Sequence, residues 1–259
     1  LKGGGLWEWD LKSRGLNLGG VVSRRREAYH EKLLAAPVPA GAGAVSIHDV
    51  ARAKEPGLQE QLHYDWHGRM SLLDHFLHPD TTPEAFARAR YGEQGDFVLG
   101  DYKLKVQGLE NDHLRLSLER DGTVWSHAGV PVRVRKELSL SRAGGWSCRY
   151  AVENRGGEAA DVWFGVELAF AFSNPAACPA GQETGVALKT LKDEHLGVTL
   201  RLHMDAPLDL WTFPLYTISQ SEEGFERTYQ GNVLLLHRKM RLAAGASAQL
   251  TLAAEALPA

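Results

Sequence analysis

From about residue 96 to the C-terminus, apolar and polar side chains alternate one by one, the period of two that predicts strands rather than helices. Val132, Val134, Leu138 and Leu140 alternate with Arg133, Arg135, Glu137 and Ser139; Trp146, Cys148, Tyr150 and Val152 alternate with Ser147, Arg149 and Glu153. Each run has one wet and one dry face, as in an antiparallel sheet with one side in water. The alternation recurs over 114–118, 196–202, 234–240 and 250–252, so roughly a dozen strands are expected. Asp121-Gly122, Gly144-Gly145 and Gly156-Gly157 carry the chemistry of tight hairpin turns.

One segment departs from the rule. In DVWFGVELAFAFS (161–173), Val162, Phe164, Val166, Leu168, Phe170 and Phe172 form one apolar face, while Trp163, Gly165, Ala169 and Ala171 make the other small or aromatic. Such a strand belongs at the centre, covered on both sides, and it calls for two packed sheets. The first 95 residues are mixed: RRREAYHEKLLAA (24–36) predicts a short helix, VPAGAGA (38–44) a loop, and Thr82 before Pro83 and Glu84 the start of a helix over PEAFARARY. The expectation is one all-β domain over 1–259, a large antiparallel β-sandwich with short helices in its N-terminal third. The opening LKGGGLWEWDLKSRGLNL begins at Leu1 without a methionine, so the chain is expected to be a piece of a longer polypeptide.

Composition narrows the function classes. With 259 residues, 44% of them apolar, the chain can bury about three quarters of its unfolded surface. The balance of 29 basic and 32 acidic side chains gives a net charge of −3, and the longest run of like charge is Arg24, Arg25 and Arg26. That excludes a nucleic-acid or polybasic membrane footprint. Cys148 and Cys178 make no disulfide framework and no metal knuckle, and their surroundings activate neither thiol. No secretory h-region or apolar membrane span stands out, and a reducing cytoplasm is the expected compartment. No cofactor is implied, and a homo-oligomer is compatible with the sequence.

The histidine-rich stretch HYDWHGRMSLLDHF (63–76) admits three readings: a structural corner, a sugar- or partner-contacting surface, and a zinc site. Zinc would need His63 with His67, or His75 with His78, on one face beside a carboxylate. Gly68 interrupts any helix that would align the first pair. The corner reading is favoured, and no metal is expected.

The order of RRREAYHEKL (24–33), SIHDV (46–50), YDWHGRMSLLDHFL (64–77) and WTFPLYTISQSEEGFERTYQG (211–231) resembles the C-terminal β-sandwich of glycoside hydrolase family 57, in its 4-α-glucanotransferase and α-amylase branch. The resemblance runs from about residue 3 to residue 252 and implies a galactose-mutarotase-like super-sandwich. It also implies an N-terminal β/α barrel that carries a glutamate nucleophile and an aspartate acid/base. The barrel's His-Gln-Pro signature and its α/β repeats are absent from these residues, so no catalytic residue is assigned. The expected partners are that barrel and an α-glucan, and the expected role is support of the barrel with contact to α-1,4-glucan. A free-standing sugar-binding module and a mutarotase-like epimerase are the alternatives.

Under that resemblance the 63–76 stretch is the entry to the sandwich, a corner that includes His75, in which Asp65, Arg69 and Asp74 pair and cap while Trp66, Leu72, Leu73 and Phe76 pack beneath. Arg25, Arg26 and Glu27 are candidates for docking on the barrel, against the plainer reading of a solvated helix face. Sugar binding needs flat aromatic faces and planar polar groups. Trp163 and Glu167 point to the same side of the central strand; Trp125 with His127 and Trp211 with Tyr216 are the further candidates. A carboxylate in an otherwise apolar strand needs a reason, and a partner Arg or His is the commoner one.

Overall fold

Single-residue alternation becomes antiparallel pairing along most of the chain. The computed structural model describes residues 1–12, 14–35, 54–126 and 128–259. Two short strands, β1 (Asp10–Leu11) and β2 (Leu16–Asn17), form a separate hairpin. After α1 (His30–Ala35) come β3 (Leu73–Phe76) and α2 (Pro83–Ala87). The rest is strand: β4 (Lys103–Glu110), β5 (His113–Trp125), β6 (Gly129–Ser141), β7 (Trp146–Asn154), β8 (Ala160–Phe170), β9 (Gly181–Asp193), β10 (Val198–Ser221), β11 (Gly224–Leu242) and β12 (Ser247–Pro258). No helix among the described residues is long and apolar enough to cross a membrane.

The two expected layers are one hydrogen-bonded ladder folded on itself. Its order is β3-β8-β11-β10-β12-β7-β6-β5-β4, with β9 also on β10. The hinge is β10, which pairs with β12 through residues 198–204 and with β11 through residues 209–221. Pro207, which has no amide hydrogen to donate, falls where the β9–β10 register shifts between His203 and Leu208. Strands far apart in the ladder therefore share one core: Cys148, Tyr150 and Leu250 from one layer pack with Phe164, Val166 and Leu236 from the other. The Tyr150 and Phe164 rings lie 5.9 Å apart, edge to face. The opposite face of β8 is also covered, with Trp163 and Ala169 in a second cluster with Phe86, Trp211, Phe213 and Leu235.

Three local expectations are corrected. Asp121-Gly122 lies inside β5, paired with Arg133 and Val132, and is no turn. The tight β4–β5 turn is at Asn111 and Asp112, both at positive φ, a conformation these two residues tolerate better than most. Gly156-Gly157 joins β7 to β8, strands that do not pair, so it is a crossing between layers rather than a hairpin. The helix expected over 24–36 is confined to His30–Ala35, because Asp65 takes the Arg24 backbone N–H and side chain and holds the preceding residues in a non-helical path. Residues 36–53, including VPAGAGA and SIHDV, lie outside the described residues. α2 starts as expected, with the Thr82 hydroxyl accepting from Ala85 N–H, and stops at Ala87; Ala89 then turns to φ +54°.

One inward position on β6 is a lysine. Lys136 Nζ reaches across the core to the carbonyls of Leu72 (2.6 Å) and Gly4 (3.1 Å) and to Asp74 (2.8 Å). Tyr102 donates its hydroxyl to the same carboxylate. This fully enclosed pin ties the N-terminal segment and β3 to β6.

Candidate functional site

β3 places His75 beside β8, and the segment before β3 carries Asp65, His67 and Arg69 over the outer face of β8. The result is a buried chain of alternating charge. Arg24 forks onto Asp65, with Nη2 2.6 Å from Oδ1 and Nε 3.1 Å from Oδ2. Arg69 donates to Asp65 Oδ1 at 2.7 Å and, through Nη1, to Glu167 Oε2 at 2.8 Å. His75 lies 3.2 Å from Glu167 Oε2 and 2.8 Å from Glu93 Oε2, and Glu93 in turn accepts from Phe76 N–H. Planar guanidinium forks make such a network geometrically exact in a way ammonium groups cannot.

The environment sets each proton. Burial favours the neutral form of Glu167, but Arg69 and His67 overcome it and hold its carboxyl well below the usual range. Burial also favours neutral Asp65, and Arg69 and Arg24 reverse that. Burial pulls His67 down to about 4, so it is a neutral ring donating Nε2–H to Glu167 at 3.1 Å. His75 is pushed the other way: the Glu167 carboxylate 3.2 Å away and the hydrogen bond to Glu93 outweigh its burial and raise it to about 9. Of two histidines 5.4 Å apart, His67 is thus neutral and His75 protonated near pH 7.

His67, His75 and Glu167 each offer a ligand atom within 4.8 Å of the others, the arrangement a zinc site would use. Glu167 Oε2 already accepts from Arg69, however, so a divalent cation held by that carboxylate would sit close to a buried guanidinium. The arrangement is that of a charge-compensated carboxylate. It has no path to a ligand, because Glu167 is fully enclosed.

Above this network lies an open groove. A cleft of about 450 Å³ runs between the 21–30 segment, residues 61–63 and β10, and a hollow of about 180 Å³ adjoins it, sharing Arg24, Gln61, His63 and Tyr216. Half-exposed Trp7 stands at one end, its ring against Gly68, where a Cβ would meet Trp7 Cη2 at 2.4 Å. At the other end the Arg227 guanidinium lies 4.3 Å over the Tyr216 ring. Arg25 and Glu27 line the cleft.

The residues singled out in the sequence thus separate. Arg25, Glu27 and Tyr216 meet in the groove, whereas Arg26 pairs with Glu31 in solvent. Asp65, Arg69, His75 and Glu167 meet beneath it. Asp74 belongs to the Lys136 pin. Trp66 does not pack under the corner but lies 40% exposed on top, its ring against His67 and Tyr91. Trp211 is buried, edge-on to Trp163 at 5.5 Å, on the same face of β10 as Phe213 and Leu215, and does not accompany Tyr216, because residues an odd number apart on a strand point to opposite sides. Trp125 is exposed on its own, and His127 lies outside the described residues. Sequence reasoning missed Arg24, Glu93, Trp7, Gln61 and Lys136; only Lys136 left a signal, a charge at an inward position between Val134 and Leu138.

Comparison with known proteins identifies the family and the fold. The family described as "Alpha-amylase/4-alpha-glucanotransferase, C-terminal" matches residues 1–252. A 4-alpha-glucanotransferase of Thermococcus kodakarensis is 36% identical over 231 residues, which are 88% of this chain and 33% of that protein. An alpha-amylase of Pyrococcus abyssi is 30% identical over 232 residues, again 88% of this chain and 33% of the relative. The crystal structure of 4-alpha-glucanotransferase from Thermococcus litoralis superposes with a TM-score of 0.78 at 25% identity, covering 99% of this chain and 35% of that one. A galactose mutarotase-like protein from Clostridium acetobutylicum shares the fold alone, at a TM-score of 0.53 and 9% identity over 100% of this chain and 90% of that one. The chain spans about a third of the length of the curated relatives it matches. It belongs to the C-terminal domain family of α-amylases and 4-α-glucanotransferases.

Proposed function

We propose that this chain serves, within a larger α-glucan-processing enzyme, as a non-catalytic module that supports the catalytic domain and guides an α-1,4-glucan along the groove from Trp7 to Arg227. The observation that carries the reading is the contrast between the two levels of the site. The titratable groups best suited to chemistry, Glu167, His67 and His75, are enclosed and mutually compensated. The groups left open, Trp7, Tyr216, Arg25, Glu27 and Gln61, are those that stack on a pyranose and hydrogen-bond its hydroxyls. The buried network fixes the segments that carry them, so the groove is preformed.

Titration calorimetry of the 259-residue chain with maltoheptaose tests the sugar-guiding part. Binding that weakens at least about tenfold in Tyr216→Ala and Trp7→Ala supports the groove. Binding unchanged in both variants, or no heat at millimolar sugar, removes it and leaves support alone. The support part is tested in the whole enzyme: Arg25→Ala is expected to loosen the contact between the domains and lower the temperature at which they unfold together.

A further inference from the structure

The other end of the outer layer carries a second pocket. Arg227 and Lys239 are both on β11, separated by roughly 40 Å of strand at ~3.3 Å per residue. At the Lys239 end a cavity of about 580 Å³ opens onto four side chains from paired strands. Trp163 of β8 is directly across from Lys239, and Asp161 is across from Arg241. The Lys239 ammonium rests 4.4 Å over the Trp163 ring, and Arg241 Nη1 donates to Asp161 at 2.8 Å. The segment after β3 makes one wall with Leu77 and Pro79, fixed by the Leu77 N–H bond to the Trp163 carbonyl at 2.9 Å. Gln94 is on the rim.

We infer that this pocket is a second saccharide-binding site, sized for one or two pyranose units and separate from the groove. Three features carry the inference. The indole is preset, with Nε1 donating to His237 Nδ1 at 3.0 Å and Trp211 edge-on behind it, so its orientation costs nothing on binding. The planar groups of Asp161, Arg241 and Gln94 surround an apolar wall, the pattern that recognises vicinal hydroxyls around a C–H face. Among the described residues no carboxylate pairs with Lys239; its ammonium caps the indole, which is 9% exposed, and has to swing to the rim for a ring to stack there. The identity of the sugar as an α-glucan rests on the function proposed above; the site itself does not.

Maltotriose, too short to follow the groove, is the probe, titrated by calorimetry into the full chain and into Asp161→Ala, Trp163→Phe and Tyr216→Ala. Asp161 is largely exposed, so its replacement leaves the fold intact. The inference expects maltotriose affinity to fall about tenfold in Asp161→Ala and to stay unchanged in Tyr216→Ala. Equal affinity in the wild type, Asp161→Ala and Trp163→Phe, or no binding at sugar on the order of ten millimolar, overturns it. A loss confined to Tyr216→Ala overturns the pocket and keeps the groove; a loss confined to Asp161→Ala, with maltoheptaose binding insensitive to Tyr216→Ala, does the reverse.

Discussion

Arg69 Nη1 and Glu167 Oε2 face each other at 2.8 Å with both side chains fully enclosed, joining the segment before β3 to β8, which is covered on both faces although it lies second from the end of the ladder and not at its centre. A buried pair of this kind is costly to break from one side, because the remaining ion has no partner and no water. Arg69→Met is therefore expected to destabilise the chain by about 3–5 kcal/mol, and Glu167→Gln by a similar amount. The double replacement Arg69→Met/Glu167→Leu recovers part of that loss. Denaturant unfolding of the three variants checks it; equal losses in the single and double variants would show that packing, and not charge, is what the pair supplies.

Stability is expected to peak near neutrality because the two enclosed histidines are displaced in opposite directions. The folded chain holds the His75 proton up to about pH 9, whereas the unfolded chain releases it near 6.5. Between those values the native state binds more protons, so stability falls as pH rises. His67 resists protonation down to about pH 4, so from 6.5 to 4 the unfolded state binds more protons and stability falls as pH drops. Thermal melts across this range test both arms: His75→Gln should flatten the alkaline arm and His67→Gln the acid one.

Lys136→Met should release the N-terminal segment before it unfolds the sandwich. The lysine satisfies the carbonyls of Gly3, Gly4 and Leu72 and neutralises Asp74, all within the core. Its loss costs about 3–5 kcal/mol by stranding Asp74. Hydrogen exchange checks the location: the Gly3 and Leu6 amides, bonded to Gly100 and Ser71 carbonyls, should exchange faster while β7 and β12 stay protected. Uniform loss of protection would mean the pin stabilises the fold as a whole.

Gly68→Ala tests the groove without touching its polar groups. The added Cβ would lie 2.4 Å from Trp7 Cη2, so the indole must move. A shift in Trp7 emission with weakened maltoheptaose binding is the expected result. Unaltered emission would show that the loop, and not the indole, gives way.

Both thiols should be silent in the native chain. Burial pushes Cys148 and Cys178 up to about 12, so neither is a thiolate at about pH 8. A colorimetric disulfide reagent should react with neither until denaturant is added; prompt reaction of one equivalent would mean local opening at the 3₁₀ turn (Pro175–Ala177) before Cys178.

What the sequence determined by itself was the strand character of the chain and the double coverage of β8. Both follow from local periodicity, since a strand's two faces are written in consecutive residues. It also marked Glu167 as a carboxylate in need of partners, and its family resemblance pointed to Asp65 and Arg69 as a pair, which the structure contains. Tertiary structure alone decided who those partners are. Arg69 is 98 residues from Glu167, Lys136 is 64 from Leu72, and Trp7 meets Gly68 through no local rule. It also decided that Tyr216 and Trp163, both read as aromatic candidates for sugar contact, line different pockets. The reason is physical: alternation specifies which way a side chain points, whereas register, the change of partner along β10 and the folding of one ladder into two layers specify what it meets.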